Sequence, residues 1–231
     1  IQYLLVSQNP KANLWILPGG HSESGEILQR TAIREVLEES GCQVKIQNPL
    51  GSFPTFSHGE ETTNLIFLAR LLSFRSGVEN REISWKTIDQ LNNTIVPVET
   101  HFLLDKAQTL LVNRIAEAEK SARSLLGKTV MVTVNRPIGA QHAGIVYARN
   151  YGYIDGIIGK DGDDLDAYLL EITQPLKSFK GKCVGIIQRT NDLDDKLIVV
   201  PPETVVDAEA IRKETHLVEQ LFESELILLE D

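Results

Sequence analysis

Three carboxylates, Glu35, Glu38 and Glu39, recur at i, i+3 and i+4. Residues three and four apart are neighbours on a helix surface, so a helix here crowds three like charges together. Such crowding does nothing for the helix. It suits a hard divalent cation, which takes oxygen ligands and is commonly shared with substrate phosphates. A second acidic set lies far along the chain. Asp161, Asp163 and Asp166 read as a loop entering a strand, and Asp194 sits in another loop with Asp192 close by. Acidic groups from two loops meeting at one groove suit more than one such ion. A pair of ions can clamp both the attacking and the leaving oxygen of a displacement.

These groups need elements to position them. Ile1 to Ser7 and Leu14 to Leu17 read as strands, with Asn9-Pro10-Lys11 as a turn between them. A helix is expected to begin near Ser24, a suitable N-cap with Glu26 in the first turn. Its apolar stripe is Leu28, Ala32, Ile33, Val36 and Leu37, and Gly41 is its stop. Val44 to Phe53 and Asn64 to Leu72 read as strands, the second continuously apolar and so expected to be buried. A short strand opens at Glu82 to Trp85, and Thr87 to Leu91 starts a helix. A long helical pattern runs from Thr100 to about Leu126, ended by Gly127. Thr129 to Val134, Tyr168 to Glu171, Lys182 to Gln188 and Leu197 to Val200 read as strands, with acidic loops between. Ala208 to Leu221 reads as a terminal helix. Several short strands and one helix suggest a small barrel.

The 231 residues suit one or two domains. A net charge of −9 argues against a nucleic-acid polymer as partner. A small phosphate compound remains compatible where metal ions neutralise the site. No apolar run approaches the roughly 20 residues of a bilayer span, and no secretory leader is legible, so no membrane partner is expected. Cys42 and Cys183 lie far apart, which points to free thiols and a cytoplasmic location. The only methionine is Met131, so the true N-terminus is expected to be missing.

The stretch from Gly20 through Glu26, Arg34-Glu35-Val36-Leu37-Glu38-Glu39 and Gly41-Cys42 follows the pattern G-x5-E-x7-R-E-U-x-E-E-x-G-U, where U is aliphatic. It resembles the Nudix box, with Cys42 as the one mild departure and Trp15-Ile16-Leu17-Pro18-Gly19-Gly20 as the usual lead-in. The resemblance implies a hydrolase of nucleoside diphosphates linked to another moiety, using Mg2+ or Mn2+. It also implies one more strand before Ile1. Glu35, Glu38 and Glu39 are the expected metal ligands, joined by the Gly20 carbonyl. The general base is Glu35 or a carboxylate from a later loop, with Glu60 and Glu61 as candidates. Arg34 and Glu26 resemble the residues that tie loop to helix. Trp15, Phe53, Phe56, His58 and Trp85 could stack on a base, although Phe53 and Trp85 read more readily as core and His58 as an exposed loop residue.

The second half resembles a shortened family I inorganic pyrophosphatase. The resemblance is carried by Tyr147-Ala148-Arg149-Asn150-Tyr151-Gly152-Tyr153-Ile154, Asp161-Gly162-Asp163-Asp164-Leu165-Asp166-Ala167 and Asn191-Asp192-Leu193-Asp194-Asp195-Lys196. It implies that Asp161, Asp166 and Asp194 hold metal, that Asp163 takes a proton from the attacking water, and that Tyr151 and Lys196 meet phosphate. Tyr147 takes a supporting role. Several positions depart from the family. Val134 to Tyr147 is too short for the usual hairpin, Asn135 replaces a glutamate, and His142 is a loose stand-in for a lysine. Arg136 or Arg149 replaces a missing arginine. Leu221-Phe222 stand where a tyrosine and a lysine bind phosphate. Fewer cations mean weaker stabilisation of the leaving phosphate.

The expected fold is α+β. A Nudix α/β/α sandwich spans residues 1–113, a helical connector 114–126, and an OB-like β-barrel with a C-terminal helix 127–231. The expected function is Mg2+-dependent hydrolysis of phosphoanhydrides, with nucleotide and pyrophosphate as small-molecule substrates. The first half would cleave a nucleoside triphosphate or a related nucleoside diphosphate derivative, and the second would hydrolyse the pyrophosphate released. Two alternatives stand beside it: a second half that only binds phosphate or metal, and a first half acting on a nucleotide sugar or dinucleotide. A homo-oligomer is left open.

Overall fold

The computed structural model describes residues 2–9, 11, 14–57, 60–75, 79, 81–91, 98–142 and 144–229. The chain divides into two units, 1–111 and 112–231. His58, Pro10 and Gly59 lie outside the described residues. No helix among the described residues is long and apolar enough to cross a membrane.

The first unit runs β1 (Tyr3–Asn9), β2 (Leu14–Ile16), α1 (Leu28–Ser40), β3 (Cys42–Ser57), β4 (Glu60–Phe74), β5 (Ile83–Lys86), α2 (Ile88–Leu91) and the first turns of α3 (Val98–Ser124). β1 is flanked by β2 and β5, both antiparallel. Leu5 and Val6 of β1 are fully buried. Leu5 joins Tyr3, Leu50, Leu68 and Leu91 in a core closed by Leu103, Leu104, Ala107 and Leu111 of α3. These four recur one turn apart, as an apolar helix stripe must. Tyr3 donates its hydroxyl to Gln108 Oε1 at 2.9 Å, and burial pushes the phenol up to about 12.

Three sequence expectations change here. α1 starts at Leu28 rather than near Ser24, and Ile27 occupies the N-cap without a side-chain cap. Glu26, expected in the first turn, instead lies before the helix and binds side chains of its first and second turns, Thr31 and Arg34. The apolar stripe of α1 is only half-buried, and Leu28 is exposed. β4 is not buried throughout. It pairs with β3 alone among the described residues, and Leu71, Leu72 and Phe74 are exposed. Composition signals a two-sided buried strand only where a neighbour covers both faces. β3 carries Pro49 and Pro54, which lack a ladder donor and suit an edge. The stop at Gly41 stands: its φ is 72°, where only glycine sits without strain, and its N–H closes on the Leu37 carbonyl at 2.9 Å.

The second unit contains the last turns of α3, then β6 (Thr129–Arg136), β7 (Gln141–His142), β8 (Ile145–Val146), β9 (Asn150–Ile158), β10 (Asp164–Leu169), β11 (Ser178–Arg189), β12 (Lys196–Val200), α4 (Ala208–Glu219) and β13 (Ser224–Leu228). The strand order is β12-β10-β9-β6-β11-β13, and a β11–β12 pairing closes five strands into a barrel. β10 and β12 are parallel, while the other pairs of this barrel are antiparallel. Alternation splits the packing. Leu165, Ala167, Leu169, Leu197 and Val199 join one core with Ala122 of α3. Tyr168, Leu170, Ile198 and Val200 join another with Ile211 of α4. β12 is therefore buried on both faces, which is why it reads as an unbroken apolar run.

β10 begins at Asp164, earlier than the apolar signal suggests, so Asp166 belongs to a strand rather than a loop. The alternation Asp164-Leu165-Asp166-Ala167 is a strand pattern whose polar face points at a site instead of at water. Among the described residues between Val134 and Tyr147, the only hairpin is the short β7–β8 pairing, with strands of two residues each.

Candidate active sites

The first acidic face is organised by Arg34. Its guanidinium makes a two-pronged bond to Glu26, Nε to Oε1 at 3.1 Å and Nη2 to Oε2 at 3.0 Å. Nη1 reaches Glu35 Oε1 at 2.8 Å and Glu38 Oε2 at 3.2 Å, and Nη2 also donates to the His21 carbonyl at 3.2 Å. Charge-assisted forks of this kind fix geometry as well as adding energy. Glu26 further accepts from the Thr31 hydroxyl at 2.9 Å and the Glu23 N–H at 3.1 Å. Arg34 and the Glu23 N–H hold the Glu26 carboxyl down at about 2. Glu26 and Glu35 in turn raise the Arg34 pKa.

Glu39 is turned elsewhere. It is buried, accepts the Gly19 N–H at 3.0 Å and pairs with Arg81 at 2.8 Å. Burial raises its pKa against those two partners. Gly20 sits hard against α1. A Cβ there would lie 2.4 Å from the Glu35 carboxyl carbon, so any larger residue would push the Glu35 side chain out of its present place.

The second site is assembled by strand register. Asp166 of β10 lies beside Lys196 of the parallel β12, while Arg136, Tyr151 and Tyr168 align across β6, β9 and β10. The Lys196 ammonium is bonded to Asp166 at 2.8 Å and to Asp194. Tyr151 donates its hydroxyl to the same Asp166 oxygen. Arg136 lies over the Tyr151 ring at 5.0 Å and the Tyr147 ring at 5.4 Å. Burial raises the pKa of Tyr151 well above the usual phenol range, and Asp166 and Asp194 add to it. Burial likewise lifts Asp194 to about 6 against the pull of Lys196. Asp161 and Asp163 occupy the turn before β10, where Asp161 Oδ1 accepts the Asp163 N–H at 3.1 Å.

Among the sequence candidates, the structure brings Glu26, Arg34, Glu35 and Glu38 together, and Gly20 close to Glu35. Glu39 faces Gly19 and Arg81 instead. Glu61 is exposed on β4, and Phe56 is exposed at 79%. Trp15 and Phe53 pack against the first core. Phe53 also lines a cavity of about 550 Å3 with Leu50, Phe102, Leu103 and Lys106. In the second unit Tyr151, Asp166, Asp194, Lys196 and Arg136 converge. Arg149 is engaged by Glu214 of α4, and His142 is exposed.

Sequence reasoning missed Arg189 and Glu219. Arg189 is 4% exposed and forks onto Glu219 at 2.9 and 2.8 Å. It reaches Asp192 at 2.9 Å and Asp194 at 3.5 Å, and it lies 3.5 Å from the Phe222 ring centre. Burial opposes its charge, yet Glu219, Asp194 and Asp192 outweigh burial and raise its pKa. Tyr168 donates to Glu219 at 2.8 Å. A signal existed: Glu219 continues the buried face Ile211–Thr215 at four-residue spacing. A carboxylate on a buried stripe calls for a buried partner.

The family model for the NUDIX domain matches residues 2–107, and that for inorganic pyrophosphatase matches residues 113–225. The chain carries a NUDIX domain followed by an inorganic pyrophosphatase domain. The NUDIX part is similar to the putative mutator protein MutT4 of Mycobacterium tuberculosis, 32% identical over 105 residues, which are 42% of this chain and 42% of that protein. It is similar to the putative 8-oxo-dGTP diphosphatase of Bacillus subtilis, 28% identical over 100 residues, 42% of this chain and 65% of that protein. The pyrophosphatase part is similar to the inorganic pyrophosphatase of Corynebacterium glutamicum, 38% identical over 60 residues, 24% of this chain and 38% of that protein. The chain thus spans less than two thirds of each of these three relatives.

Both families are hydrolases acting on phosphoric anhydrides, and both depend on divalent metal. The side chains fit such an ion. The NUDIX domain offers hard carboxylate oxygens and a glycine cradle that a Cβ would fill. The pyrophosphatase domain aims Asp166 and Asp194 at one cation already, the Lys196 ammonium. Among the described residues no three acidic, imidazole or thiol groups gather around one point by themselves. Arg34, Arg81 and Lys196 hold the carboxylates instead, as like charges require when only protein cations are at hand.

Proposed function

We propose that the protein is a two-step phosphoanhydride hydrolase using Mg2+ or Mn2+. Residues 1–113 cleave a nucleoside triphosphate or a related nucleoside diphosphate derivative, and residues 127–231 hydrolyse the released pyrophosphate, with 114–126 as the helix between. Removing pyrophosphate draws the first reaction forward. The observation that carries this reading is the meeting of Tyr151, Asp166, Asp194 and Lys196 in the second unit, beside a first unit that keeps the Gly20–Glu35 approach. The cavity of about 550 Å3 lined by Phe53, Phe102 and Lys106 has room for a nucleotide, which supports such a substrate for the first step. Free, buried Cys42 and Cys183 support a reducing cytoplasm.

Glu35, Glu38 and, on release from Arg81, Glu39 would hold metal in the first site, and Asp161, Asp166 and Asp194 in the second. Bound there, the ion supplies charge to developing oxyanions and lowers the pKa of coordinated water. The chain's own groups do the rest. Glu35 in the first site and Asp163 in the second take the proton of the attacking water. Arg34 and Glu26 keep the Gly20 loop on α1. Tyr151 donates its hydroxyl to phosphate, and Lys196 and Arg136 offset the charge of the leaving group.

One observation favours a second reading. Arg149 is committed to Glu214, and Phe222 packs on Arg189, so fewer cations remain for phosphate. On that reading residues 127–231 bind pyrophosphate without turning it over. Product analysis separates the two. With a nucleoside triphosphate and Mg2+, the parent should accumulate phosphate, and Asp166→Ala should accumulate pyrophosphate. Pyrophosphate as the final product of both proteins would remove the second step and leave the binding module. An intact nucleoside triphosphate, with monophosphate released instead from a nucleotide sugar or dinucleotide, would point to that substrate class.

A further inference from the structure

Lys160 and Asp195 are each 4% exposed, and the Lys160 ammonium meets Asp195 Oδ1 at 2.9 Å. Neither is among the proposed metal ligands, but each is the immediate neighbour of one. Lys160 precedes Asp161 in the turn before β10, and Asp195 follows Asp194 in the loop between β11 and β12. The same Asp195 oxygen accepts the Arg189 N–H at 3.0 Å, which pins the loop to the end of β11. Arg114 of α3 donates to the Lys160 carbonyl at 3.1 Å, and Glu119 lies 3.7 Å from the Lys160 ammonium. Glu119 also accepts from Gln188 at 2.8 Å, one residue before Arg189. Two acidic loops that share no backbone pairing are thus tied through one buried ion pair, braced from α3.

Stability is a weak reason to keep such a pair. Desolvating two charges costs about as much as their attraction returns, and apolar residues of similar volume are often neutral or better. What the pair does provide is a fixed distance between the loops. We propose that Lys160 and Asp195 are positioning residues, a clip that fixes the Asp161 turn against the Asp194 loop so that carboxylates of both stay available to a divalent cation. This inference rests on the metal reading of the second site. The analogous shell around known metal ligands changes affinity by about ten- to a hundredfold when altered.

The test is Mn2+ titration of the full chain, with free ion read by electron paramagnetic resonance. Every protein carries Glu38→Gln to quiet the first acidic face. Lys160→Met/Asp195→Leu should bind Mn2+ about ten- to a hundredfold more weakly than its parent. Asp195→Asn, which retains an amide oxygen for the Arg189 N–H, should also weaken binding, so the inference stays testable if the double variant fails to fold. Lys160→Arg should recover part of the affinity, a rescue that a mere packing role does not predict. A parent that binds Mn2+ and variants that bind it equally well overturn the clip alone. A parent that binds no Mn2+ overturns the metal reading of the second site and the clip with it.

Discussion

Arg34 and Arg189 have the same task, gathering carboxylates, in unlike surroundings. The Arg34 side chain keeps 25% of its surface in water, and its partners Glu26, Glu35 and Glu38 lie within thirteen residues of chain. The Arg189 side chain keeps 3%, and its main partner Glu219 is 30 residues away on α4. The first cluster can trade its arginine for another cation by small side-chain movements. The second cannot do so without leaving a carboxylate buried and unpaired, at a high cost. One arginine therefore serves a site and the other serves the fold that holds a site. The same contrast separates Gly20, where a single added carbon would strike the Glu35 carboxyl, from Lys196, whose ammonium itself meets the Asp166 and Asp194 carboxylates.

The largest effects should come from those last two positions, in opposite reactions. Lys196→Met removes the cation between Asp166 and Asp194 and should lower pyrophosphate hydrolysis by about a hundredfold or more, read as phosphate release. Nucleotide hydrolysis by the same protein should be unchanged when its organic product is followed by chromatography. Gly20→Ala should do the reverse, lowering nucleotide hydrolysis by about a hundredfold through displacement of Glu35. Loss of both reactions in either variant would mean that the two sites are not separate.

Next in size is the arginine comparison itself. Arg189→Met should destabilise the second unit by about 3–5 kcal/mol, because Glu219 is left buried with only Tyr168. Arg189→Met/Glu219→Leu should recover much of that loss. Arg34→Met should cost less, since water solvates the carboxylates it leaves. Both tryptophans, Trp15 and Trp85, lie in the first unit. Urea unfolding followed by fluorescence therefore reports Arg34, while circular dichroism reports both units. An Arg34→Met loss as large as that of Arg189→Met would erase the distinction.

The contrast also explains what could be read in advance. The NUDIX box was legible because its ligands, clamp and stop share one helix and its lead-in, so spacing alone fixes which groups are neighbours. The partner of Glu39 was not, because Arg81 lies 42 positions away and no local rule connects them. In the pyrophosphatase domain the motifs were legible but their elements less so. The polar face of β10 looks like a loop until the site it faces is known, and β9 and β13 carry no clear apolar alternation. β4 misled in the other direction. Leu71, Leu72 and Phe74 have strand composition, but burial depends on a covering neighbour that composition cannot announce.

The smallest effect expected is a pH signature confined to the first cluster. Arg34 and the Glu23 N–H favour the charged form of Glu26, which brings its carboxyl from an ordinary 4.5 to about 2. Below its usual pKa the unfolded chain binds a proton that the folded chain refuses, so folding loses this contribution as pH falls. The Glu26–Arg34 contribution should be complete above 4.5 and gone once pH has fallen through about 2. Fluorescence-detected stability of the parent and of Glu26→Gln should differ by a constant amount at neutral pH, then converge across that window. Salt should shrink the difference, because these groups are only partly shielded from solvent. Arg189→Met compared with its own parent should show less such salt dependence, since its main partner Glu219 is buried away from ions. A Glu26 difference that persists unchanged to pH 2 would mean that the side chain acts through packing rather than charge, and the ionic clamp between loop and helix would have to be abandoned.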